Sequence, residues 1–171
     1  MLITVLKKLP VMTEPAIALE VQWASDQSSL PETTDFDRWV RAALEGVDHP
    51  VELVIRVVDE AEGQELNQRY RSKDKPTNVL SFPFEAPAGV ECDHLGDLVI
   101  CAPVVIREAQ EQGKPLNDHW AHLVIHGVLH LRGYDHQTED EAQQMESREK
   151  TILHGLGVED PYRQINGVAQ G

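Results

Sequence analysis

The sequence predicts an α+β domain in which a small mixed four-stranded sheet packs against about five helices. Three observations lead there. Residue periodicity switches between two-residue and 3.6-residue repeats in the order β-α-β-α-β-β-α-α-α, with the helices gathered in the second half. The 171 residues contain no internal repeat, low-complexity run or linker that would divide them. A chain of this length buries a sizeable core without disulfides.

Taken in order, residues 1–15 read as a loose N-terminal extension. The short apolar run Met1–Leu6 precedes Lys7 and Lys8, the reverse of a secretory leader. The domain is expected over 16–157. Ile17 to Trp23 alternates like a half-buried strand. After a loop at 28–31, Thr33 or Thr34 caps a helix with Phe36, Trp39, Val40, Ala43 and Leu44 on one face, ended by Gly46. Val51 to Val58 forms a second strand with Val51, Leu53, Ile55 and Val57 inward. Asp59, with Glu62 three residues on, opens a second helix running to about Tyr70. Thr77 to Phe82 reads as a third strand near a sheet edge, because Pro83 cannot donate to a ladder.

Residues 85–94 form a loop, and Gly96 to Cys101 a fourth strand. Pro103 sits in the first turn of a helix lasting to Gly113. Asn117 or Asp118 caps the next helix, which reaches Leu131. Thr138 and Glu141 form a capping box for the last helix, whose Met145, Ile152, Leu153 and Leu156 make an apolar stripe. Residues 158–171 read as a flexible tail.

Composition limits the function. The formal net charge is −14, so long-range electrostatics repel RNA and phosphate binding requires a local basic patch. Residues 69–76 hold four of the fifteen Lys and Arg residues, Arg69, Arg71, Lys73 and Lys75. Cys92 and Cys101 have no metal-ligand spacing and do not form a secreted disulfide framework, which fits a reducing cytoplasm. No apolar run suits a membrane span.

The chemistry concentrates in residues 126–136. His126 and His130, four apart, lie about 6 Å apart along one helical face and can reach one ion. Gly133 can end the helix in a left-handed conformation and let the chain bring His136 back. Three protein ligands with an open position is the arrangement of a catalytic zinc. His122 shares the stripe, but His122 and His130 are about 12 Å apart along the axis, too far for one ion with Zn–N bonds of about 2 Å. His119 and His122 are therefore a solvated face or lie behind the ligands. His49, His94 and His154 carry no ligand pattern.

The spacing H-x3-H-x5-H, with glycine three residues after the second histidine, resembles the long zinc motif of metzincin proteases. Those enzymes carry a glutamate base directly after the first histidine. Here that position is Gly127, which cannot move a proton, so peptide hydrolysis by that route is not expected.

The segment His126-Gly127-x-x-His130-Leu131-x-Gly133-Tyr134-Asp135-His136 is similar to the signature of the YbeY family, bacterial zinc-dependent endoribonucleases linked to ribosomal RNA maturation and ribosome quality control. Leu66-Asn67-x-x-Tyr70-Arg71, Thr77–Pro83 (with Asn78 where Asp is commoner) and Leu95-Gly96-Asp97-Leu98 resemble further family segments in the expected order. The resemblance implies one Zn2+ held by His126, His130 and His136, with Arg71 as a functional arginine. Its guanidinium suits bidentate phosphate contact and transition-state charge. The bland alternative for Arg71 is a helix-end arginine bonding the last carbonyls.

Arg69, Lys73 and Lys75 would extend an RNA-backbone strip or belong to a solvated loop. Asp135 would hydrogen-bond a ligand histidine from behind, act as a proton shuttle, or, as the blander choice, cap the turn. Asn78, Ser81 and Asp97 would line the cleft or serve strand and turn roles. The implied activity is single-strand endonucleolytic cleavage in rRNA maturation, including 16S rRNA 3′-end processing, with ribosomal partners. The alternatives are a zinc hydrolase acting on peptides or small molecules, marked by a carboxylate over the metal, and a non-catalytic ribosome-assembly factor with a structural zinc.

Overall fold

The computed structural model describes residues 16–73 and 77–162; the expected extension 1–15, Lys75 and residues 163–171 lie outside this range. The expected element order is present: β1 (Ile17–Ala24), α1 (Thr33–Ala43), β2 (Val51–Val58), α2 (Glu60–Arg71), β3 (Val79–Pro83), β4 (His94–Cys101), α3 (Ala102–Gln112), α4 (Leu116–Leu131) and α5 (Glu139–Gly155). The four strands form one mixed sheet in the order β1-β2-β4-β3. β1, β2 and β4 run parallel, with Leu19 opposite Leu53 and Ile55 opposite Leu98. β3 lies antiparallel at the edge, Ser81 opposite Leu98, as Pro83 requires.

Strand alternation divides the apolar residues between the two faces. Leu53, Ile55, Val57, Leu98 and Ile100 enter the main core with α1 and α4. Val58, Val99 and Cys101 join Leu80, Val104 and Leu66 in a smaller cluster on the other side. The main core is fixed by an aromatic group in which Phe36 meets Trp120 edge-on at 5.8 Å and Trp39 at 5.6 Å. Fully burying side chains of this size stabilises by about 1.5–3 kcal/mol each, so α1 and α4 are joined through the same residues that fill the core.

α4 is the central helix. It packs on β3, β4, α1, α3 and α5, and Trp120, Val124, Ile125, Val128 and Leu129 are buried around it. A helix apolar on most sides belongs in the interior. The stripe His122, His126 and His130 is the side it presents to the cleft.

Local starts differ from expectation in three places. α1 is capped by Glu32 rather than Thr33 or Thr34, because the Asp35 carboxylate accepts the Glu32 backbone N–H at 3.0 Å. Asp59 does precede α2, but its carboxylate accepts from the Ser25 hydroxyl at 2.5 Å and the Asp26 N–H at 3.0 Å. Glu62 pairs with Arg56 at 2.5 Å instead of closing a capping box. α4 starts at Leu116 behind Pro115 rather than at an Asn117 or Asp118 cap, since proline's fixed φ suits a helix entry. Thr138 caps α5 as expected, accepting the Glu141 N–H at 3.1 Å. Val158 to Tyr162, assigned from sequence to the flexible tail, lie against the body with Pro161 buried.

Candidate metal centre

His126 and His130 project from the last two turns of α4. Behind them the chain reverses tightly: Gly133 adopts φ +100°, its N–H donates to His130 O, and the Tyr134 N–H donates to Leu129 O, both at 3.0 Å. Arg132 secures the reversal, donating to Ala43 O at 2.8 Å and lying 5.8 Å from the Tyr134 ring centre. The turn returns His136 to the other two histidines. Ring centres are 4.7 Å apart for His126 and His130, 5.0 Å for His130 and His136, and 6.0 Å for His126 and His136.

One nitrogen from each of these rings lies within 4.8 Å of the others, the scale of two Zn–N bonds of about 2 Å each. Burial, followed by the neighbouring charges of His126 and His136, lowers the His130 pKa. This favours the neutral imidazole that a metal requires.

Behind His126 lies Glu149 of α5, 0 % exposed. Its carboxylate is bonded to His126 Nδ1, to His122 Nε2 at 3.2 Å and to the Tyr162 hydroxyl. Burial pushes this carboxyl up, but hydrogen bonds from His122 and His126 outweigh burial and place it at about 2. An ionised carboxylate only accepts, so His126 Nδ1 carries the proton and Nε2 keeps a free lone pair. His122, His126 and Glu149 also lie within 4.8 Å of one another. In that group the carboxylate is buried and already accepts from both rings. The cluster of His126, His130 and His136 is the one with three nitrogens and no carboxylate.

The solvated-face reading of His119 and His122 is therefore corrected. His119 is buried and bonds Glu108 at 2.9 Å, and Glu108 also accepts from Asn78 Nδ2 at 3.1 Å. His122 is backed by Glu149 in the same way.

The triad opens into a cleft of about 580 Å³ whose walls include Arg71, Asn78, Ser81, Tyr134 and Asp135. Arg71 is the last residue of α2, followed by Ser72 in a left-handed cap at φ 58°. Its Nη2 donates to Ser81 O on β3 at 2.8 Å, and the guanidinium lies 5.5 Å from the Phe82 ring centre. It thus bonds another element rather than the end of its own helix, and it lines the cleft.

The basic strip is partly neutralised, since Arg69 pairs with Glu65 at 2.8 Å. Lys73 is exposed. Asp135 accepts the His136 backbone N–H at 2.7 Å, which is the turn-capping alternative; the carboxylate bonded to a triad ring is Glu149. Asn78 and Ser81 line the cleft, whereas Asp97 bonds His94 at 3.0 Å.

Sequence reasoning missed Glu149, Glu108 and Tyr162. Glu149 does carry a signal: it sits between Met145 and Ile152 on the apolar stripe of α5, where periodicity calls for an apolar residue. Glu108 interrupts the stripe of Val104, Val105 and Ala109 in the same manner. Tyr162 follows the last helix and has no such mark.

A mixed sheet whose central helix and the turn after it bring three histidines together at an open cleft, with an arginine fixed on the cleft wall, defines a hydrolase-type domain built around a candidate metal site. The chain belongs to the YbeY family: the family model described as endoribonuclease YbeY matches residues 21–157. It is 60 % identical over 154 residues to the endoribonuclease YbeY of Alkalilimnicola ehrlichii, covering 87 % of this chain and 93 % of that one. The solution structure of a Thermotoga maritima protein superposes with a TM-score of 0.55 at 23 % identity, covering 89 % of this chain and 99 % of that one. That likeness supports the fold alone.

Proposed function

We propose that the protein is a zinc-dependent endoribonuclease that cleaves single-stranded RNA. Its proposed role is rRNA maturation, including 16S rRNA 3′-end processing, and ribosome quality control, with ribosomal partners in the cytoplasm. Family membership supports the activity. Among the described residues no helix is long and apolar enough to cross a membrane.

The observation that carries the mechanism is that the histidine cluster and Arg71 line one cleft. His126, His130 and His136 are the residues that would hold the ion. Zinc bound there would supply a Lewis acid and a water activated at neutral pH. Arg71 binds the scissile phosphate and offsets charge that develops on its oxygens. Its bond to Ser81 O and its position beside Phe82 hold the guanidinium on the cleft wall, so less side-chain entropy is lost on binding. Glu149 holds His126 with Nε2 free for the ion. Lys73, with Lys75 and Arg69, adds positive charge for the RNA backbone in an otherwise acidic protein.

The peptide-hydrolase alternative fits less well. Gly127 occupies the position of the glutamate base, and the buried Glu149 is engaged by three donors behind His126. Metal analysis alongside an rRNA cleavage assay tests the reading. Alanine at His126, His130 or His136 is expected to remove both zinc and cleavage, and Arg71→Glu to remove cleavage alone. Full cleavage by the zinc-free triple-histidine variant would overturn it.

A further inference from the structure

Residues 158–171 read as a flexible tail in the sequence, but the structure ties residues 158–162 to the candidate metal centre. At the end of α5 the Val158 N–H donates to Leu153 O at 2.9 Å, turning the chain back along the helix. Pro161 is buried, and its carbonyl accepts from Lys114 Nζ at 2.9 Å. Asp160 pairs with Lys150 at 3.6 Å. These contacts deliver Tyr162 to the cleft wall. Its ring centre lies 5.4 Å from that of His122, and its hydroxyl donates to Glu149.

Glu149 divides its two oxygens between these partners. Oε1 takes the His126 Nδ1–H, while Oε2 takes His122 and the Tyr162 hydroxyl. A carboxylate that is 0 % exposed has no water to replace a missing donor, and an unsatisfied buried charge is costly. The donors on Oε2 therefore hold the carboxylate in the one orientation that presents Oε1 to His126. Carboxylates bonded behind metal-binding histidines fix ring tautomer and orientation, and their loss weakens metal binding about 10–100-fold.

We propose that Glu149 and Tyr162 are positioning residues of the metal centre, and that the segment 158–162 is a strap that completes it by orienting His126. This rests on the proposed reading of His126, His130 and His136 as the metal ligands. Two features exceed what packing alone requires. The Tyr162 hydroxyl bonds a carboxylate rather than solvent, and that same carboxylate bonds a triad ring.

The test measures Co2+ and Zn2+ affinity of the full chain by competition with a chromophoric chelator, together with the visible Co2+ spectrum and the thermal midpoint. Tyr162→Phe keeps the ring and removes only the hydroxyl; it should weaken metal binding about 10-fold and alter the Co2+ spectrum. Glu149→Gln should weaken binding about 10–100-fold, with Glu149→Asp recovering part of the loss. Lys114→Ala, which removes the strap's anchor at Pro161 O and takes away no hydrogen bond to Glu149 or His126, should shift affinity in the same direction as Tyr162→Phe.

Wild-type affinity and spectrum in a folded Tyr162→Phe variant would overturn the proposal, even if its melting point falls. His130→Ala serves as the separate control. Lost metal binding there, with Tyr162→Phe unchanged, sinks the strap and leaves the ligand reading standing. Unchanged binding in His130→Ala removes that reading and the strap proposal with it.

Discussion

Gly127 on α4 lies so close to Leu98 on β4 that a Cβ at position 127 would sit 2.8 Å from Leu98 Cδ2 and 3.0 Å from Cδ1. Leu98 is fully buried, so neither methyl can move aside without disturbing the core. The residue that breaks the metzincin pattern is thus required by the packing of helix on sheet, and the cleft gains no general base from this position. Gly127→Ala gains about 1 kcal/mol of helix propensity but overpacks the core at about 1–3 kcal/mol. A net loss of about 1 kcal/mol is expected, read as a lower urea midpoint at unchanged slope. Stabilisation by the alanine would refute the close-packing account.

Arg71 is exposed and bonds one carbonyl at the edge of the sheet, so its role in stability is small. Arg71→Glu is expected to change stability by about 0.5 kcal/mol or less, as for most surface substitutions. It should leave bound zinc at wild-type stoichiometry and abolish RNA cleavage. Arg71→Lys should retain part of the activity, because lysine keeps the charge but loses bidentate geometry. Cleavage, zinc content and melting temperature measured on the same preparations decide this. Full activity in Arg71→Glu would remove arginine from the mechanism.

The fold and the histidine cluster were legible in the sequence for different reasons. Alternation in Val51–Val58 and the helical face of Phe36, Trp39 and Val40 reflect burial, which is repeated over many residues. His126, His130, Gly133 and His136 are close in sequence, so helix geometry and one turn place them together. Arg71 lies fifty-five residues before His126, and periodicity does not bring it to the cleft; the family resemblance did. The place of Glu149 on the apolar stripe of α5 marks it as unusual, but its partners, like those of Tyr162, depend on how α5 and the following segment dock onto α4, a tertiary relationship that no local pattern encodes. The displaced caps have a similar origin. Asp59 was drawn to Ser25, and Glu62 to Arg56, by neighbours that only the folded sheet provides.

Metal removal separates a catalytic from a structural ion. The main core, with Trp120, Phe36, Ile55 and Leu129 fully buried, forms away from the triad, and His136 is exposed. Stripping the metal with a chelator should abolish cleavage while far-UV circular dichroism stays near that of the loaded protein. The melting temperature should fall, because a ligand that binds only the folded state stabilises it by mass action, by about 2.7 kcal/mol at one hundred times Kd. Restoring zinc should restore cleavage. Global unfolding of the metal-free chain would favour the scaffold role instead.

The His119–Glu108 pair near the start of α4 gives an acid-limb prediction. Burial pushes the Glu108 carboxyl up, but hydrogen bonds from His119 and Asn78, with the nearby charges of His119 and Arg107, outweigh it and hold the group below the usual carboxylate range. Lys114 also faces it. A folded-state value below the unfolded one means that the unfolded chain takes up the proton first as pH falls. The contribution is complete above the ordinary carboxylate range and is lost as pH drops through the folded value. Glu108→Gln lacks this titration and should cost about 1 kcal/mol at neutral pH, the scale of one hydrogen bond. The difference from wild type should shrink below about pH 4, where an unperturbed glutamate protonates. Denaturation of both proteins between about pH 7 and pH 3 measures the gap, and a gap that stays constant across this window would show that the charge on Glu108 contributes nothing to the fold.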